Sequence, residues 1–469
     1  MTLQSPPPAL PDRSRHVVII GGGLSGAALA WHLARESGAD GPAITLVEPR
    51  EAPGQGLAYG TKDPDHRLNV PDFRMTLETA WPESFSTWLA NHGVPEGARA
   101  ANGDIYPPRA LFGAYVADKL GPDLASGRIR HLRDHGIAAA REGSFWRIRL
   151  ASGAELRASE LVLAATHPAP GIPRELALLE GSDRLLADPY SPDSLVGIAP
   201  DERLAIIGTG LTGADLLASL IRQGHQGPVT LISRHGRRSQ PHGPAQEALE
   251  IDFSANPPRT ARALLRRIRE ELARETAKGR TWHPLFDQIR AQGPVIWAAL
   301  PLQERRRLVR HLRGLWDIHR FRIAPQTHQI VEDSLASGQA QLLAGRMRAL
   351  RQTADGLELT LGHKNGSETL LQLDRILLAT GPSHGSVTRA NPLYADLARQ
   401  GLLRSDPLGL GLDCTAEGLA FDATGRANPH LRIAGPLARA AVGELMGVPE
   451  VTHWAEKLAR SLAKAPAET

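Results

Sequence analysis

The sequence predicts an α/β protein with two Rossmann-like domains, the second nested in the first and carrying a helical insertion. Two Gly-x-Gly-x-x-Gly motifs, at 21–26 and 208–213, each follow a short β-branched run and open an Ala/Leu-rich stretch. Two apolar runs ending in Ala-Thr, at 161–166 and 376–380, flank the second motif. An arginine-rich segment with helical periodicity interrupts the second domain.

The first glycine motif lies in a complete strand–turn–helix–strand pattern. Its first glycine allows a tight turn, the second lets the backbone approach a pyrophosphate, and the third permits close packing of helix on strand. The N-terminus of the helix offers free N–H groups to phosphates. The next strand, 43–47, ends about 20 residues later in a carboxylate suited to a ribose 2′-hydroxyl. We therefore predict a dinucleotide site formed by Gly21, Gly23, Leu24, Ser25, Gly26 and Glu48.

The second motif differs from the first at the end of the strand that follows it. The strand 228–232 leads into Ser233 and Arg234, and no acid stands there. A carboxylate would repel a 2′-phosphate, whereas serine and arginine can bind one. A solvated basic loop is the alternative interpretation of these residues. The pattern favours NADPH over NADH, held by Gly208, Gly210, Leu211, Thr212, Gly213, Ser233 and Arg234.

Two nucleotide sites in one chain indicate a flavin and a nicotinamide held face to face, and so redox chemistry. FAD is assigned to the first site and NADPH to the second, and no metal is predicted. Asp215 lies just inside the second helix, where the helix dipole alone favours a carboxylate. We do not predict a catalytic role for it.

The two Ala-Thr strands are interpreted as the points where the chain crosses between domains. They predict an FAD-binding domain at 15–190 and 376–469 and an NADPH-binding domain at 191–375. Residues Thr166, Thr380 and Gly381 at the crossings are predicted to contact cofactor. The Pro-rich residues 1–14 are predicted to be a disordered tail.

The helical insertion spans about 255–325, with apolar residues at steps of three and four. Its many arginines are ordinarily a solvated helix face. The segment 316–322 is different, because it ends in a His-Arg-x-Arg cluster just before Ala324-Pro325. We interpret it as carrying side chains into a substrate cleft, which makes His319 and Arg320 candidate catalytic residues.

Composition excludes several classes of function. Among 469 residues, 42% are hydrophobic and 22% charged, as in ordinary globular proteins, and the net charge is only +4. The arginine clusters are local, which favours a small anionic partner over nucleic acid. The single cysteine, Cys414, excludes a CxxC redox centre and a disulfide framework. No export signal and no apolar run of about 20 residues is present, so we expect a cytoplasmic protein without membrane partners.

The chain resembles the flavoproteins with two dinucleotide domains, and among them the YdhS-type FAD/NAD(P)-binding proteins. It is also similar to class B flavin monooxygenases and pyridine-nucleotide disulfide reductases. The resemblance covers nearly the whole chain. Its Leu-Asn-Val-Pro and Trp-Asp-x-His-Arg pieces are specific, whereas many oxidoreductases share the glycine motifs. The matching segments are 17–26, 56–61, 66–71, 316–322, 435–436 and 448–450.

The resemblance implies further contacts with the flavin. It places Tyr59, Asn69, Val70 and Met75 near the flavin ring, and Asn69 becomes a third catalytic candidate. Tyr59 and Asn69 are equally suited to fixing a loop. Gly435 and Pro436 resemble the late flavin-contact segment of these proteins.

These features predict an FAD-dependent, NADPH-using oxidoreductase. Without a CxxC pair, electrons pass to dioxygen or to an organic substrate. The Phe-x-Gly-x-x-x-His-x-x-x-Trp stretch of Baeyer–Villiger enzymes is absent. We therefore expect a flavin monooxygenase of the N-hydroxylase type, whose insertion arginines suit a small acidic molecule. An oxygen-independent dehydrogenase or reductase is the alternative, and a non-catalytic flavin-binding redox partner is a second one.

Overall fold

The computed structural model describes residues 15–38, 40–191 and 194–464. The predicted tail at 1–14 lies outside these ranges. The structure confirms the predicted fold class, because two parallel sheets with helices between their strands form the centre of the molecule. Each sheet contains one of the two glycine motifs at the end of a central strand.

Strand, helix and strand follow one another around each glycine motif, at 16–47 and 204–233, whereas runs of consecutive strands or consecutive helices form most of the remaining chain. The strands are β1 (His16–Ile20), β2 (Ala43–Val47), β3 (Ile129–Leu132), β4 (Gly136–Glu142), β5 (Phe145–Leu150), β6 (Glu155–Ala158), β7 (Glu160–Leu163), β8 (Leu185–Leu186), β9 (Leu204–Ile207), β10 (Val229–Ser233), β11 (Ala340–Ala344), β12 (Arg346–Thr353), β13 (Gly356–Gly362), β14 (Glu368–Leu373), β15 (Arg375–Leu378), β16 (Leu419–Phe421) and β17 (Ala427–Ile433).

The helices are α1 (Leu24–Glu36), α2 (Gly56–Tyr59), α3 (Ser84–His92), α4 (Arg109–Ala125), α5 (Leu211–Arg222), α6 (Ala261–Ala277), α7 (His283–Ala291), α8 (Gly293–Ala299), α9 (Leu302–His311), α10 (Arg313–Arg320), α11 (Pro325–Ala336), α12 (Val387–Ala390), α13 (Pro392–Arg399), α14 (Arg439–Val442) and α15 (Val448–Lys464).

The first sheet has the strand order β16-β17-β7-β1-β2-β3 and is parallel except for the edge strand β16. Strands from both ends of the chain meet in it, since β17 pairs with β7 and places Leu431 opposite Leu161. The strands β1 and β7 are buried along their whole length, as expected for parallel strands covered on both faces. Helices α1 and α15 pack against each other beside this sheet.

The second sheet has the order β11-β10-β9-β15-β8, and all its pairings are parallel. Strands β8 and β15 belong to it, so the chain crosses between the sheets before β8 and after β15. The sequence put these crossings after 190 and before 376, and the boundaries of the domains stay a prediction. Both Ala-Thr strands stand at these crossings, since the chain leaves the first sheet after β7 and the second after β15, and each also lies beside the strand that leads into a glycine turn.

Two small antiparallel sheets, β4-β5-β6 and β12-β13-β14, flank the two large sheets. Between β10 and β11 the chain forms helices α6 to α11, and the insertion helices α6 to α10 share a small apolar core of their own. That core consists of Leu249, Phe253, Leu264, Leu285, Ile289, Ile296 and Leu300. The insertion is therefore a subdomain with its own apolar core. Packing against this core gives helix α10, which faces the cleft, a fixed position.

Candidate active site

A cleft of about 790 Å³ lies between the carboxyl ends of β9, β10 and β15 in the second sheet, the loop 68–75 and helix α10 of the insertion. One wall comes from the loop 68–75, and a second comes from the second glycine turn with the residues after β10. The third wall comes from α10 and from the C-terminal segment 446–449. The cleft thus joins segments that are far apart in sequence, at the ends of parallel strands of the second sheet, where α/β proteins bind ligands.

The first glycine turn is fixed by contacts within the protein. Gly21 has a φ of +104°, and a Cβ there would lie 2.5 Å from the backbone nitrogen of Ala165. A Cβ at Gly26 would overlap the carbonyl oxygen of Gly21. Gly23 differs, because a Cβ would come no closer than 3.4 Å, to Gly56. The outer glycines are required by the fold, and the middle one leaves room for a phosphate at the start of α1.

The second turn repeats this arrangement. Gly208 has a φ of +114°, and a Cβ there would overlap the carbonyl oxygen of Ala379. A Cβ at Gly213 would overlap the carbonyl oxygen of Gly208. Nothing lies within 4 Å of a Cβ at Gly210, which lines the cleft. This open space before the N-terminus of α5 fits a pyrophosphate.

Glu48 lies at the end of β2, against the first turn, and is buried. Its carboxylate accepts hydrogen bonds from the backbone N–H of Gly22 at 2.9 Å and from Arg50 at 3.1 Å. The acid therefore stands beside the glycine turn in a fixed orientation. This position suits the predicted contact with a ribose hydroxyl.

The strand β10 ends in groups that lack protein partners. The buried hydroxyl of Ser233 has no hydrogen-bond partner in the described part of the chain. Arg234 and Arg237 are exposed, line the cleft, and form no ion pair among residues 15–38, 40–191 and 194–464. Arg238, by contrast, is paired with Glu332 at 2.7 Å. One hydroxyl and two guanidinium groups are thus available to a phosphate.

The side chains expected near the flavin ring lie together on the cleft wall. Tyr59, Asn69, Val70 and Met75 all line it. Burial raises the pKa of Tyr59 to about 12, so its phenol is neutral and can donate a hydrogen bond. The backbone carbonyl of Asn69 is 2.9 Å from Nε2 of His242, which fixes the loop.

Of the three residues predicted to contact cofactor at the crossings, two line the cleft and one does not. Thr380 and Gly381 line the cleft, as do Leu211 and Thr212 beside the second turn. Thr166 is not on its wall. Gly435 presses against the start of α1, where a Cβ would overlap the hydroxyl of Ser25. Gly435 thus lies near the first turn, and neither Gly435 nor Pro436 lines the cleft.

The two catalytic candidates from α10 have different surroundings. Nδ1 of His319 is 2.8 Å from the carbonyl oxygen of Leu315, and its ring stacks on Phe286. It packs inside the insertion and does not line the cleft. Arg320 does line the cleft and is buried, at 3.2 Å from Glu444 and 3.6 Å from Glu450. The structure brings Arg320 and Asn69 to one cavity and leaves His319 outside it.

An ion pair connects the two nucleotide units. Arg109, at the start of α4, contacts Asp215 of α5 at 2.6 Å and also donates to the backbone carbonyl of Arg67. Burial raises the pKa of the Asp215 carboxyl, and the guanidinium opposes that shift. Asp215 therefore has a structural partner beyond the helix dipole. No sequence pattern indicated Arg109, which lines the cleft between the two units.

Two histidines that sequence reasoning did not pair lie at the crossings between the sheets. Nδ1 of His384 is 3.3 Å from Nδ1 of His167, and its Nε2 accepts from Arg313 at 2.8 Å. Burial, with His167 and nearby arginines, lowers the pKa of His384 to about 3. Burial, with Arg439 and Arg313, lowers the pKa of His167 to about 4. Both rings are neutral at physiological pH.

Other reactive groups are scarce. Burial and nearby carboxylates raise the pKa of the Cys414 thiol to about 12, which leaves it unreactive. Within the described ranges, no three His, Cys, Asp or Glu side chains group in a way that could hold a metal ion. Across the same ranges, no helix combines the length and apolar character that crossing a membrane requires.

Comparison with known proteins supports the nucleotide sites. Residues 18–168 match a protein-family model described as FAD-NAD(P)-binding. The chain is also 29% identical over 216 residues to the tRNA 5-methylaminomethyl-2-thiouridine biosynthesis bifunctional protein MnmC of Chromohalobacter salexigens. That match covers 35% of this chain and 30% of the other protein, so the chain corresponds to less than a third of it.

Solved structures of similar fold cover nearly the whole chain. L-lysine 6-monooxygenase from Pseudomonas syringae has a TM-score of 0.64 at 19% identity, over 96% of this chain and all of that one. The cadaverine monooxygenase DfoA from Erwinia amylovora, bound to FAD, has a TM-score of 0.63 at 14% identity, over 97% and 95% of the chains. The ornithine N-hydroxylase KtzI from Kutzneria sp. 744, with reduced FAD, NADP+ and L-ornithine, scores 0.59 at 15% identity, over 96% and 98%.

The chain is a flavoprotein that binds FAD and NAD(P) and has the fold of flavin monooxygenases. This confirms the predicted cofactor classes. The finer resemblance to the YdhS-type proteins, the choice of NADPH over NADH and the individual contacts stay predictions.

Proposed function

We propose that this protein is an NADPH-dependent flavin monooxygenase that hydroxylates the amine nitrogen of a small molecule. The observation that carries the proposal is the single cleft, because it connects the second glycine turn, the loop expected at the flavin ring and the arginines of the insertion. A nicotinamide, a flavin and an organic substrate can meet in such a cavity. The neighbours of this fold that act on lysine, cadaverine and ornithine support the same reaction class.

The proposed reaction consumes one amine, one dioxygen, one NADPH and one proton, and yields one hydroxylamine, one NADP+ and one water. Bound FAD supplies the chemistry, since a flavin accepts a hydride from NADPH and activates dioxygen. The residues of this chain bind, orient and shield the reactants. The two middle glycines leave room for the pyrophosphates, as the open space at Gly23 and Gly210 supports.

Selection of NADPH is assigned to the end of β10. The unpartnered hydroxyl of Ser233 and the exposed guanidinium of Arg234 can bind a 2′-phosphate. Glu48 comes directly after β2, but no carboxylate stands at the corresponding position after β10. No negative charge at the end of β10 therefore repels the phosphate.

Shielding of the reaction is assigned to the flavin-side wall. Val70 and Met75 present apolar surface to the cleft, and Met75 is only 2% exposed. Asn69 lies beside them with its backbone held by His242. Exclusion of water at this wall prevents side reactions of the activated oxygen.

The acceptor of electrons is assigned to dioxygen. The chain has one cysteine, and burial keeps its thiol protonated, so a dithiol relay has no residues to carry it. One assay distinguishes oxygenation of the substrate from an oxygen-independent reduction. Purified holoenzyme is screened for NADPH oxidation stimulated by small amines, with product masses determined in air and under anaerobic conditions.

The proposal predicts a product heavier by one oxygen atom, formed only in air. Stoichiometric hydrogen peroxide with every amine unmodified would contradict it. Anaerobic turnover of an organic acceptor would instead establish the dehydrogenase or reductase. Protein that bound no FAD on titration would contradict every flavin-dependent interpretation.

A further inference from the structure

Arg439 is a buried guanidinium without a hydrogen bond. It begins α14, lines the cleft and is 5% exposed. Its Nε has no hydrogen-bond partner in the described part of the chain. Its ion-pair partner is Asp317, whose Oδ1 lies 3.7 Å away. A buried cation held so weakly costs folding free energy unless a ligand satisfies it.

The charges around Arg439 leave one positive charge in excess. Oδ2 of Asp317 lies 3.3 Å from Nε of Arg313, so one carboxylate serves two guanidinium groups. Further along the wall, Arg290 and Arg320 face Glu444 and Glu450, two cations against two anions. The excess is therefore located at Arg313 and Arg439.

The neighbouring histidines do not change this balance. Because Nε2 of His384 accepts a hydrogen bond from Arg313, the proton of that neutral ring lies on Nδ1. This Nδ1–H donates a hydrogen bond to Nδ1 of His167. Both rings have lowered pKa values and are uncharged at neutral pH. His384 fixes the Arg313 side chain by accepting its hydrogen bond, and neither ring adds charge.

We propose that Arg439 and Arg313, which both contact Asp317, form a subsite for one carboxylate of the substrate. A monoanion matches the single excess charge, and a planar carboxylate can accept hydrogen bonds from a guanidinium in pairs. This inference rests on the proposed function in one respect, since it takes the ligand to be the substrate of that cleft. It adds the chemical class of the substrate, a small amino acid or another amine that carries a carboxylate.

The experiment compares ligands of equal length that differ at one end. Oxidised holoenzyme is titrated calorimetrically, without NADPH, with ω-amino carboxylates from glycine to 6-aminohexanoate and with the corresponding diamines. The expected result is that carboxylates bind and that their diamine partners bind at least about tenfold more weakly, because they lack the anion. Arg439→Gln should weaken carboxylate binding by about tenfold or more, and Arg439→Lys by less.

Two controls separate the subsite from other effects. Arg306→Gln removes an exposed arginine of the same insertion and should leave carboxylate binding unchanged. Arg313→Gln tests the other half of the subsite, with its side chain partly exposed, if Arg439→Gln fails to fold. FAD content and NADP+ affinity are measured for every variant and should match the unchanged protein.

Three outcomes would overturn the subsite. They are failure of every carboxylate to bind, equal binding of carboxylates and diamines, and loss of FAD from Arg439→Gln with carboxylate affinity retained. The last would assign Arg439 to the flavin. The titration involves no oxygen and no turnover, so its result is independent of the oxygenation test. Hydroxylation of amines by a protein that binds no carboxylate would support the proposed function and contradict the proposed subsite.

Discussion

Single residues at the second glycine turn have separable effects on stability and on nucleotide binding. The turn contains a glycine with positive φ, Gly208, and a glycine in extended conformation, Gly210. Only the first has backbone atoms where a Cβ would lie. Stability and ligand affinity therefore depend on different atoms of one short segment.

Replacement of these glycines by alanine tests the distinction. Gly208→Ala should lower the melting temperature markedly, because it combines strain of about 1–3 kcal/mol with overlap at Ala379. Gly210→Ala should keep the melting temperature and raise the KM for NADPH, since its methyl group occupies the phosphate space. Thermal unfolding and steady-state kinetics measure the two effects. Unchanged KM in folded Gly210→Ala would argue against a pyrophosphate at this turn.

Arg234 is predicted to select the phosphorylated dinucleotide. Arg234→Gln removes a charge-assisted contact of about 1.5–3 kcal/mol, so the KM for NADPH should rise by roughly 10- to 100-fold. The KM for NADH should change little, because NADH has no 2′-phosphate. Arg238→Gln is the matched control, as Arg238 already pairs with Glu332. An equal rise for both nucleotides would show that Arg234 does not contact the 2′-phosphate.

His242 predicts a pH dependence of stability. Burial lowers its pKa to about 4, opposed by the Asn69 carbonyl and assisted by Arg322, Arg74 and His283. Between pH 6.5 and about 4 the unfolded chain therefore binds a proton that the folded protein does not. The free energy of unfolding falls as pH falls through this window, by at most about 1.4 kcal/mol per pH unit for this group.

The measurement is denaturant unfolding from pH 7 to pH 4.5. His242→Gln should show a shallower decline than the unchanged protein, because glutamine does not titrate. Other buried histidines remain in both proteins, so the difference between the two curves isolates His242. Parallel curves would contradict the prediction.

At the scale of elements, local chemistry made the strands and turns predictable. The glycine turns, the strands that lead into them and the acid at Glu48 follow from patterns within short segments. The Ala-Thr strands were also recognised, as crossings between domains. The structure shows that their alanines stand where each first glycine packs, at Ala165 and Ala379. The same packing requirement in both sheets explains the repeated pattern.

The contacts that join elements were not predictable in this way. Arg109, His384 and Arg439 belong to segments without a recognisable pattern, and each becomes notable only through a partner distant in sequence. The histidine proposed from α10, His319, packs among aromatic rings of the insertion instead. Helical periodicity shows that a face is apolar, but it does not show which neighbouring segment covers that face.

The contact between α4 and α5 provides a test at this scale. Asp215→Asn leaves Arg109 buried without its counter-charge, which should cost about 3–5 kcal/mol of unfolding free energy. Arg222→Gln is the control, because it breaks the exposed contacts of the same helix with Asp63 and Asp65. That change should cost about 1 kcal/mol or less. Equal losses in denaturant unfolding would show that the Arg109 pair does not hold the two units together.

At the scale of the whole molecule, the sequence predicted two nucleotide sites but not how they share a cavity. The cleft is bounded by the carboxyl ends of β9, β10 and β15 in the second sheet, by the loop 68–75 and by α10 of the insertion. This arrangement places the groups at the end of β10, the flavin-side loop and the arginines of α10 around one space. We propose that NADPH binds at the end of the cleft formed by β10 and that the amine binds beneath the insertion.

The proposed function requires that one oxygen atom of dioxygen enters the amine product at the expense of NADPH. The direct measurement is a single turnover of NADPH-reduced holoenzyme with an ω-amino carboxylate under isotopically labelled dioxygen, followed by mass analysis. We expect a hydroxylamine that carries one labelled oxygen atom for each NADPH oxidised. Unmodified amine with all labelled oxygen recovered as hydrogen peroxide, across the whole series of amines, would contradict it.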